Sequence, residues 1–256
     1  MNIDKEQLRK ILMIVSIAAL GIIFFSALLL VNRAVEPGND TISMEMVKAA
    51  YAKLQARYGE KNFPSEAYIL NILYRELNIY NDSIILEQGF ANQDQYKEMI
   101  IDTLERNGVF KDFFYIAFVQ SFSLPEQYDQ AKAMGLWQLL PSTARSFGLR
   151  VTETVDERID PDKSSLAAAR YLRHLQEYFG TDSFTLVLAA YKAGESNILN
   201  SALKAESSIS AVSFWDLYSR DLVTEETRTF VIRTITFLIL GEGLLPPEES
   251  EPGDAN

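Results

Sequence analysis

The chain has 256 residues but no cysteine and a single histidine, and both absences exclude chemistry. Without cysteine there is no thiolate nucleophile, no disulfide framework and no iron–sulfur cluster. One histidine cannot supply a multi-histidine metal site. We therefore predict no metal and no cofactor. A chain of this length can bury a sufficient core without such crosslinks.

Basic residues are also in short supply. The sequence has 24 Lys and Arg against 35 Asp and Glu, a net charge of −11. Binding to nucleic-acid phosphates needs a local excess of Lys and Arg, so we predict no nucleic-acid partner. The composition leaves carboxylates, hydroxyls and amides to carry any chemistry.

One long segment has no charge at all, residues 11–31. A helix of this length rises by roughly the 30 Å of a bilayer hydrocarbon core, which predicts a transmembrane anchor. Lys5, Arg9 and Lys10 precede it, so residues 1–10 are predicted to be cytoplasmic and the remainder exported. A cleaved signal peptide is the alternative, although its apolar stretch is usually shorter.

The rest of the chain reads as helical between two flexible ends. Turn-forming residues predict a linker at 32–40, and prolines and acids predict a disordered tail at 246–256. Apolar residues at helical spacing predict an all-α fold. The predicted helices are 44–58, 64–80, 92–107, 113–122, 141–147, 164–179, 184–193 and 225–240. Asn92, and Ser164 or Ser165, are the expected N-caps of two of them.

Five strings then occur in one order along the second half of the chain. They are Gly-Leu-Trp-Gln-Leu-Leu-Pro-Ser-Thr-Ala at 135–144, Asp-Glu-Arg-Ile-Asp-Pro at 156–161, Ala-Ala-Arg-Tyr-Leu at 168–172, Ala-Ala-Tyr-Lys-Ala-Gly-Glu-Ser-Asn at 189–197 and Glu-Thr-Arg at 226–228. Together they resemble the catalytic domain of lytic transglycosylases of the soluble (SLT) type, enzymes of lysozyme-like fold that cleave the glycan strands of bacterial peptidoglycan.

The resemblance covers residues 105–241. Residues 41–104 carry no assignable string and are predicted to form a helical extension packed on that domain. The resemblance implies peptidoglycan as the partner. With the predicted anchor, it implies a single-pass protein of the bacterial inner membrane whose domain faces the periplasm or the wall.

The position of the catalytic acid departs from the family. In SLT enzymes a Glu stands fifteen residues before the Gly of Gly-Leu-Trp-Gln; counting back from Gly135 gives Gln120, flanked by Val119 and Ser121. Glycosidic cleavage needs a proton delivered to the leaving oxygen, and an amide does not titrate near neutral pH. We therefore predict a pseudoenzyme with no catalytic residue.

Other positions also depart from the family: Phe122-Ser123 stands where Gly-Phe is usual, Asp129 where a Ser is usual, and Lys192 where an Asn is usual. Family positions imply a glycan-binding set, namely Gln120, Ser121, Asp129, Gln138, Tyr191, Lys192 and Glu226.

Each of these positions also has a structural interpretation. Tyr191, like Trp137, suits a core aromatic, and Gln138 suits a hydrogen bond to local backbone. Lys192 suits a surface lysine, and Glu226 an ion pair with Arg228.

The charged run at 156–160 has a similar interpretation, a solvated loop with ion pairs and a helix N-cap. His174 is predicted to be exposed and receives no role.

Three functions stay open at this point. The first is binding of peptidoglycan without cleavage. The second is an active transglycosylase that uses another acid, such as Glu126 or Asp129. The third is a scaffold in an envelope assembly, in which residues 41–104 and the acidic tail contact a protein partner.

Overall fold

The structure is a computed structural model, and it describes residues 42–58, 67–81, 84–121, 132–180, 183–205 and 212–246. The predicted cytoplasmic segment 1–10, anchor 11–31, linker 32–40 and all but the first residue of the tail lie outside these ranges. Within them, no helix has the length and apolar character needed to cross a membrane.

The described ranges are built from α-helices. These are α1 (Met44–Tyr58), α2 (Ala67–Tyr80), α3 (Ile84–Arg106), α4 (Phe114–Ser121), α5 (Pro141–Ser146), α6 (Pro161–Phe179), α7 (Phe184–Ala193), α8 (Glu195–Ala205), α9 (Phe214–Ser219) and α10 (Glu225–Gly241). Short 3₁₀ turns occupy Lys111–Phe113 and Glu157–Ile159. In the described residues, β structure is limited to two isolated bridges, Met134 with Leu139 and Val151 with Asp156. The prediction of an all-α domain is confirmed.

Two predicted helix starts are wrong. Asn92 lies inside α3, which begins at Ile84, because Phe90 upstream packs on Phe118 with ring centroids 5.1 Å apart. Ser164 is buried inside α6. The true N-cap of α6 is Asp160, whose carboxylate accepts the N–H of Lys163 at 3.0 Å.

Two helices were missed altogether. Only Gly194, at φ +89°, separates α7 from α8. A glycine at this spacing is typical of a helix end, and α8 buries a narrow stripe, Ile198 and Ala202. The short α9 is fixed by a capping box in which the Ser213 hydroxyl accepts the N–H of Asp216 and the Asp216 carboxylate accepts the N–H of Ser213.

Helix α10 holds the centre of the fold. Its Phe237 ring lies 4.8 Å from the ring of Tyr80 on α2 and 4.6 Å from that of Phe118 on α4. One continuous apolar core therefore joins the extension helices to the later ones. The described residues from 42 to 246 belong to one compact unit.

The extension is also held by polar contacts. Arg57 on α1 donates to the Asp112 carboxylate at 3.1 Å, and Asp112 is only 4 % exposed. Next to Arg57, the ring of Tyr58 stacks on Phe184 at 4.0 Å. Burial and the adjacent Asp112 carboxylate raise the pKa of Tyr58, so its hydroxyl stays protonated and donates to Asp112.

Candidate functional site

Gln120 lies at the end of α4, the most apolar of the short helices. Residues 114–118 of this helix are buried, whereas Val119 and Gln120 keep partial exposure. Packing of residues 114–118 against the core therefore fixes the axis of α4. Gln120 lies near the C-terminal end of this helix and keeps partial exposure. This is the position at which the family resemblance predicts an acid.

Ser121, the next residue, is 2 % exposed. Its Oγ lies 2.8 Å from the carbonyl oxygen of Leu136 and 3.0 Å from that of Ala117, and both are acceptors. The hydroxyl thus ties the end of α4 to the turn at 135–138. This burial argues against the predicted contact of Ser121 with glycan and for a role in positioning.

The turn at 135–138 depends on Gly135. This residue has φ +86°, and a Cβ built on it would lie 2.0 Å from the backbone oxygen of Arg158. Only glycine fits such an approach. At the other end of the turn, Gln138 has φ +47°, a conformation that costs a non-glycine residue about 1 kcal/mol or more. Its Nε2 donates to the Gly135 carbonyl at 2.8 Å, which is the local backbone bond that its structural interpretation predicts.

The side chain of Arg158 hydrogen-bonds to residues on both sides of this turn. Its side chain is buried, and Nη1 donates to the carbonyl oxygens of Lys132 at 2.6 Å and Leu139 at 2.9 Å. Nε and Nη2 donate to the two carboxylate oxygens of Asp156 at 2.9 and 2.6 Å, and these bonds lower the pKa of Asp156. The interpretation of 156–160 as a solvated loop is therefore wrong for Arg158, because a buried guanidinium needs all of these acceptors.

The two aromatics of the site are part of the core. Trp137 is 0 % exposed and its Nε1 donates to Ser165 Oγ at 2.9 Å. Tyr191 is 8 % exposed and its hydroxyl donates to the Trp137 carbonyl at 2.8 Å. Burial raises the pKa of Tyr191 well above its ordinary value, so it remains a donor. We call Ser121, Gly135, Trp137, Arg158 and Tyr191 the cleft frame.

Lys192 and Glu226 form an ion pair between α7 and α10. Lys192 Nζ lies 2.7 Å from Glu226 Oε1, and the Glu226 side chain is 78 % exposed. The predicted pairing of Glu226 with Arg228 is wrong. Arg228 instead bonds to Asp221 and lies over the ring of Tyr218, 4.9 Å from its centroid. Because the Glu226 carboxylate is exposed, its ion pair with Lys192 is weak, and Lys192 can pair with an anionic ligand instead.

The last residue of the predicted set, Asp129, lies outside the described residues, as do Phe122 and Glu126. Within the part of the chain that is described, no group of three or more His, Asp or Glu side chains could hold a metal.

Sequence reasoning missed a pocket of about 320 Å³ next to the frame. Its lining residues are Ser142, Thr143, Ser146, Phe147, Tyr171, Gly194, Glu195, Ser196 and Asn197. His174 is exposed, as predicted, but its Nε2 lies 2.7 Å from Glu195 Oε2. The pocket's aromatic and hydroxyl residues come from separate parts of the chain and form no regular spacing in the sequence. They come together only in the folded structure.

The described part of the chain is thus a helical domain in which the Gly-Leu-Trp-Gln turn accepts hydrogen bonds from Tyr191 and from Ser121 at the end of the short apolar helix α4. Residues 98–212 match the family described as Transglycosylase SLT domain. The chain therefore contains a lytic-transglycosylase-like SLT domain, and that part of the prediction is confirmed.

Two curated relatives each match about half of the chain. The membrane-bound lytic murein transglycosylase D of Escherichia coli K12 is 28 % identical over 138 residues, 54 % of this chain and 29 % of that protein. The peptidoglycan transglycosylase gp16 of Escherichia phage T7 is 32 % identical over 114 residues, 44 % of this chain and 9 % of that protein. The chain thus spans less than a third of the length of these relatives.

Solved structures show a general likeness. An inactive Glu-to-Gln mutant of lytic transglycosylase Slt from Pseudomonas aeruginosa gives a TM-score of 0.49 at 18 % identity, over 82 % of this chain and 38 % of that one. The 70 kDa soluble lytic transglycosylase of Escherichia coli gives 0.46 at 18 % identity, over 78 % and 38 %.

Proposed function

We propose that this protein binds the glycan strands of peptidoglycan without cleaving them. The proposal rests on two features taken together: the cleft frame is fully formed, and an amide stands at position 120. The turn holds Gln138 at φ +47° and the frame buries the Arg158 guanidinium, and both cost free energy. Backbone strain of this kind occurs most often at active sites and ligand-binding sites.

The absence of an acid at position 120 removes the chemical step. Transglycosylation requires one carboxyl group to protonate the leaving oxygen and then to accept a proton from the sugar's 6-hydroxyl. An amide can donate and accept hydrogen bonds but transfers no proton at neutral pH. Loss of general acid–base catalysis alone slows a reaction by about 10² to 10⁴.

Among the predicted glycan-binding residues that the structure describes, Gln120, Gln138 and Lys192 are partly exposed and can contact glycan. The amides suit hydroxyl and acetamido groups, and Lys192 suits the carboxylates of muramic acid and the stem peptides. Ser121 and Tyr191 shape the cleft instead of lining it. Asp129 remains a proposed contact from its family position.

We further propose that residues 11–31 anchor the chain in the bacterial inner membrane, with residues 1–10 in the cytoplasm and the SLT domain on the periplasmic or wall side. A domain held there meets peptidoglycan continuously. Weak binding therefore suffices, because tethering raises the local concentration of the site.

The test is co-sedimentation of the full chain, in mild detergent, with purified peptidoglycan sacculi. The proposal expects saturable binding that weakens several-fold in Lys192→Met. Lys48→Met serves as the matched control, since Lys48 is an exposed lysine in an ion pair with Glu45. Failure of the parent chain to sediment with sacculi would overturn the proposal in favour of an envelope scaffold.

A further inference from the structure

Lys192 stands where SLT enzymes usually have Asn, so this chain has a cation next to the cleft frame that the family pattern does not predict. The Lys192 side chain is 24 % exposed, and its Nζ lies 2.7 Å from Glu226 Oε1 and 6.0 Å from the centre of the Phe230 ring. Phe230 is buried. A partly buried charge is screened by salt less than an exposed one, so Lys192 interacts with an anion more strongly than a surface lysine does.

Two hydrogen bonds bring Lys192 and Gln120 to the same turn. Tyr191 precedes Lys192 on α7 and donates to the carbonyl of residue 137 at 2.8 Å. Ser121 follows Gln120 on α4 and donates to the carbonyl of residue 136 at the same distance. Both Lys192 and Gln120 are partly exposed. A glycan held at this turn therefore meets an amide from α4 and an ammonium from α7.

Glu226 occupies the position that an anionic ligand of Lys192 would take. Its side chain is exposed, so the ion pair is weak and a ligand carboxylate can replace it. After the exchange Lys192 still has a carboxylate partner, and the Glu226 carboxylate is hydrated. The ion pair therefore provides for one ligand carboxylate.

The chain around Glu226 is acidic and disfavours further negative charge. The side chains of Glu225 and Asp221 are both exposed. Arg228, two residues after Glu226, is already engaged, because it pairs with Asp221 and its Nη1 lies 3.8 Å from Glu225 Oε2. The whole chain has a net charge of −11. A ligand with several carboxylates thus meets repulsion that one ammonium does not offset.

Peptidoglycan strands present carboxylates in two ways. Where a stem peptide is attached, the lactyl group of muramic acid is an amide, and the carboxylates are those of the peptide, which are several and lie far from the ring. Where the stem has been removed, the lactyl group is a free carboxylate on a short ether arm of the ring itself. A single carboxylate close to the ring matches one ammonium beside a ring-binding amide.

We propose that Lys192 makes this cleft selective for glycan strands without stem peptides. The lactyl carboxylate of muramic acid forms an ion pair with Lys192 that replaces the pair with Glu226. Strands with stems still bind through the amides, but more weakly. An Asn at this position has no charge and makes no such distinction. The inference rests on the proposed glycan-binding function and names the class of strand that the site prefers.

The test measures the affinity of the full chain, in mild detergent, for three forms of one peptidoglycan tetrasaccharide by calorimetry. The first form has free lactyl carboxylates, the second has their methyl esters and the third has stem peptides. We expect the free acid to bind about fivefold more tightly than either other form, the effect of one partly exposed ion pair. Equal or tighter binding of the ester or of the peptide form overturns the proposal.

Variants of Lys192 test whether this residue makes the distinction. We expect Lys192→Met to bind the free acid and the ester equally and Lys192→Arg to keep the preference for the acid, with melting temperatures equal to that of the parent. Lys48→Met is the matched control and should keep the preference, since Lys48 is an exposed lysine paired with Glu45. A preference that survives in Lys192→Met overturns the assignment.

Removal of the internal carboxylate should have the opposite effect. We expect Glu226→Gln to bind the free acid about threefold more tightly than the parent does, because the ligand no longer competes with Glu226 for Lys192. Glu45→Gln, which removes an exposed carboxylate from its ion pair with Lys48, is the control and should not change this affinity. Weaker binding of the free acid by Glu226→Gln would mean that Glu226 contacts the glycan and would overturn the exchange.

The selectivity and the proposed function fail on different results. Equal binding of the acid and peptide forms, with sacculi still sedimenting the chain, overturns the selectivity alone. Absence of binding to every form overturns the selectivity, and co-sedimentation with sacculi then decides the proposed function.

Discussion

The residues that hold the cleft in shape differ from those that would act in it. The cleft frame is buried, and its polar side chains bond to backbone carbonyls, to the buried Ser165 or to the partly exposed Asp156 at 2.6–3.0 Å. Gln120, Lys192 and Glu226 are partly exposed or exposed. None of the hydrogen bonds described for the frame uses the Gln120 side chain, so the shape of the turn and the chemistry at position 120 can be changed separately.

Gly135→Ala should break the frame most severely. The added Cβ meets the Arg158 backbone oxygen at 2.0 Å, and neither backbone can yield without moving the turn. We expect a loss of about 4 kcal/mol in the free energy of unfolding, measured by urea denaturation. Gly194→Ala is the matched control, since Gly194 has φ +89° and ψ +142° with open space around it, and should lose about 1–3 kcal/mol from backbone conformation alone. Equal losses in the two variants would contradict the steric explanation.

Arg158→Leu should give the second-largest loss of stability. It leaves the Lys132 and Leu139 carbonyls and the Asp156 carboxylate without their donor. We expect a loss of about 3 kcal/mol in the free energy of unfolding. Arg150→Leu removes the ion pair between an exposed guanidinium and Glu157 and should cost less than about 1 kcal/mol. Equal losses in the free energy of unfolding for Arg158→Leu and Arg150→Leu would contradict the role of Arg158 in holding the turn.

Tyr191→Phe tests one bond of the frame. The ring stays, and only the hydroxyl that donates to the Trp137 carbonyl is lost. We expect a loss of about 1 kcal/mol in the free energy of unfolding and a weaker affinity for sacculi, since the turn loses a support. Tyr178→Phe, on an exposed ring, should change neither quantity. An unchanged urea midpoint for Tyr191→Phe would show that the bond does not hold the turn.

The smallest effect is the pH dependence contributed by Glu157. Hydrogen bonds from Arg150 and Lys163 lower the pKa of Glu157 to about 2. The unfolded value is about 4.3, so the stabilisation is present above that pH and is lost as pH falls towards 2. The urea midpoint of Glu157→Gln should lie below that of the parent at pH 7, and the gap should close by about pH 2. Glu153→Gln, exposed in the same loop, is the control and should show no such gap. A gap that persists at low pH would mean that the effect is not electrostatic.

Sequence alone predicted the helical class, several helix ends and the position of Gln120, because apolar spacing and ordered motifs are local signals. It did not predict the burial of Ser121, since burial depends on what packs against α4, whereas the burial of Tyr191 agrees with its interpretation as a core aromatic. The burial of Arg158 was missed because charged side chains are usually solvated, and its acceptors at Lys132 and Leu139 lie far away in sequence. The pocket beneath α5 was missed for the same reason.

The most direct test of the central claim is incubation of purified sacculi with the full chain, with Gln120→Glu and with Gln120→Ala, followed by mass spectrometry for anhydro-muropeptides. We predict no product from the parent chain or from Gln120→Ala, and product from Gln120→Glu if the acid is the only part of the machinery that is missing. Anhydro-muropeptides released by the parent chain would contradict the account and show that another carboxyl group supplies the proton.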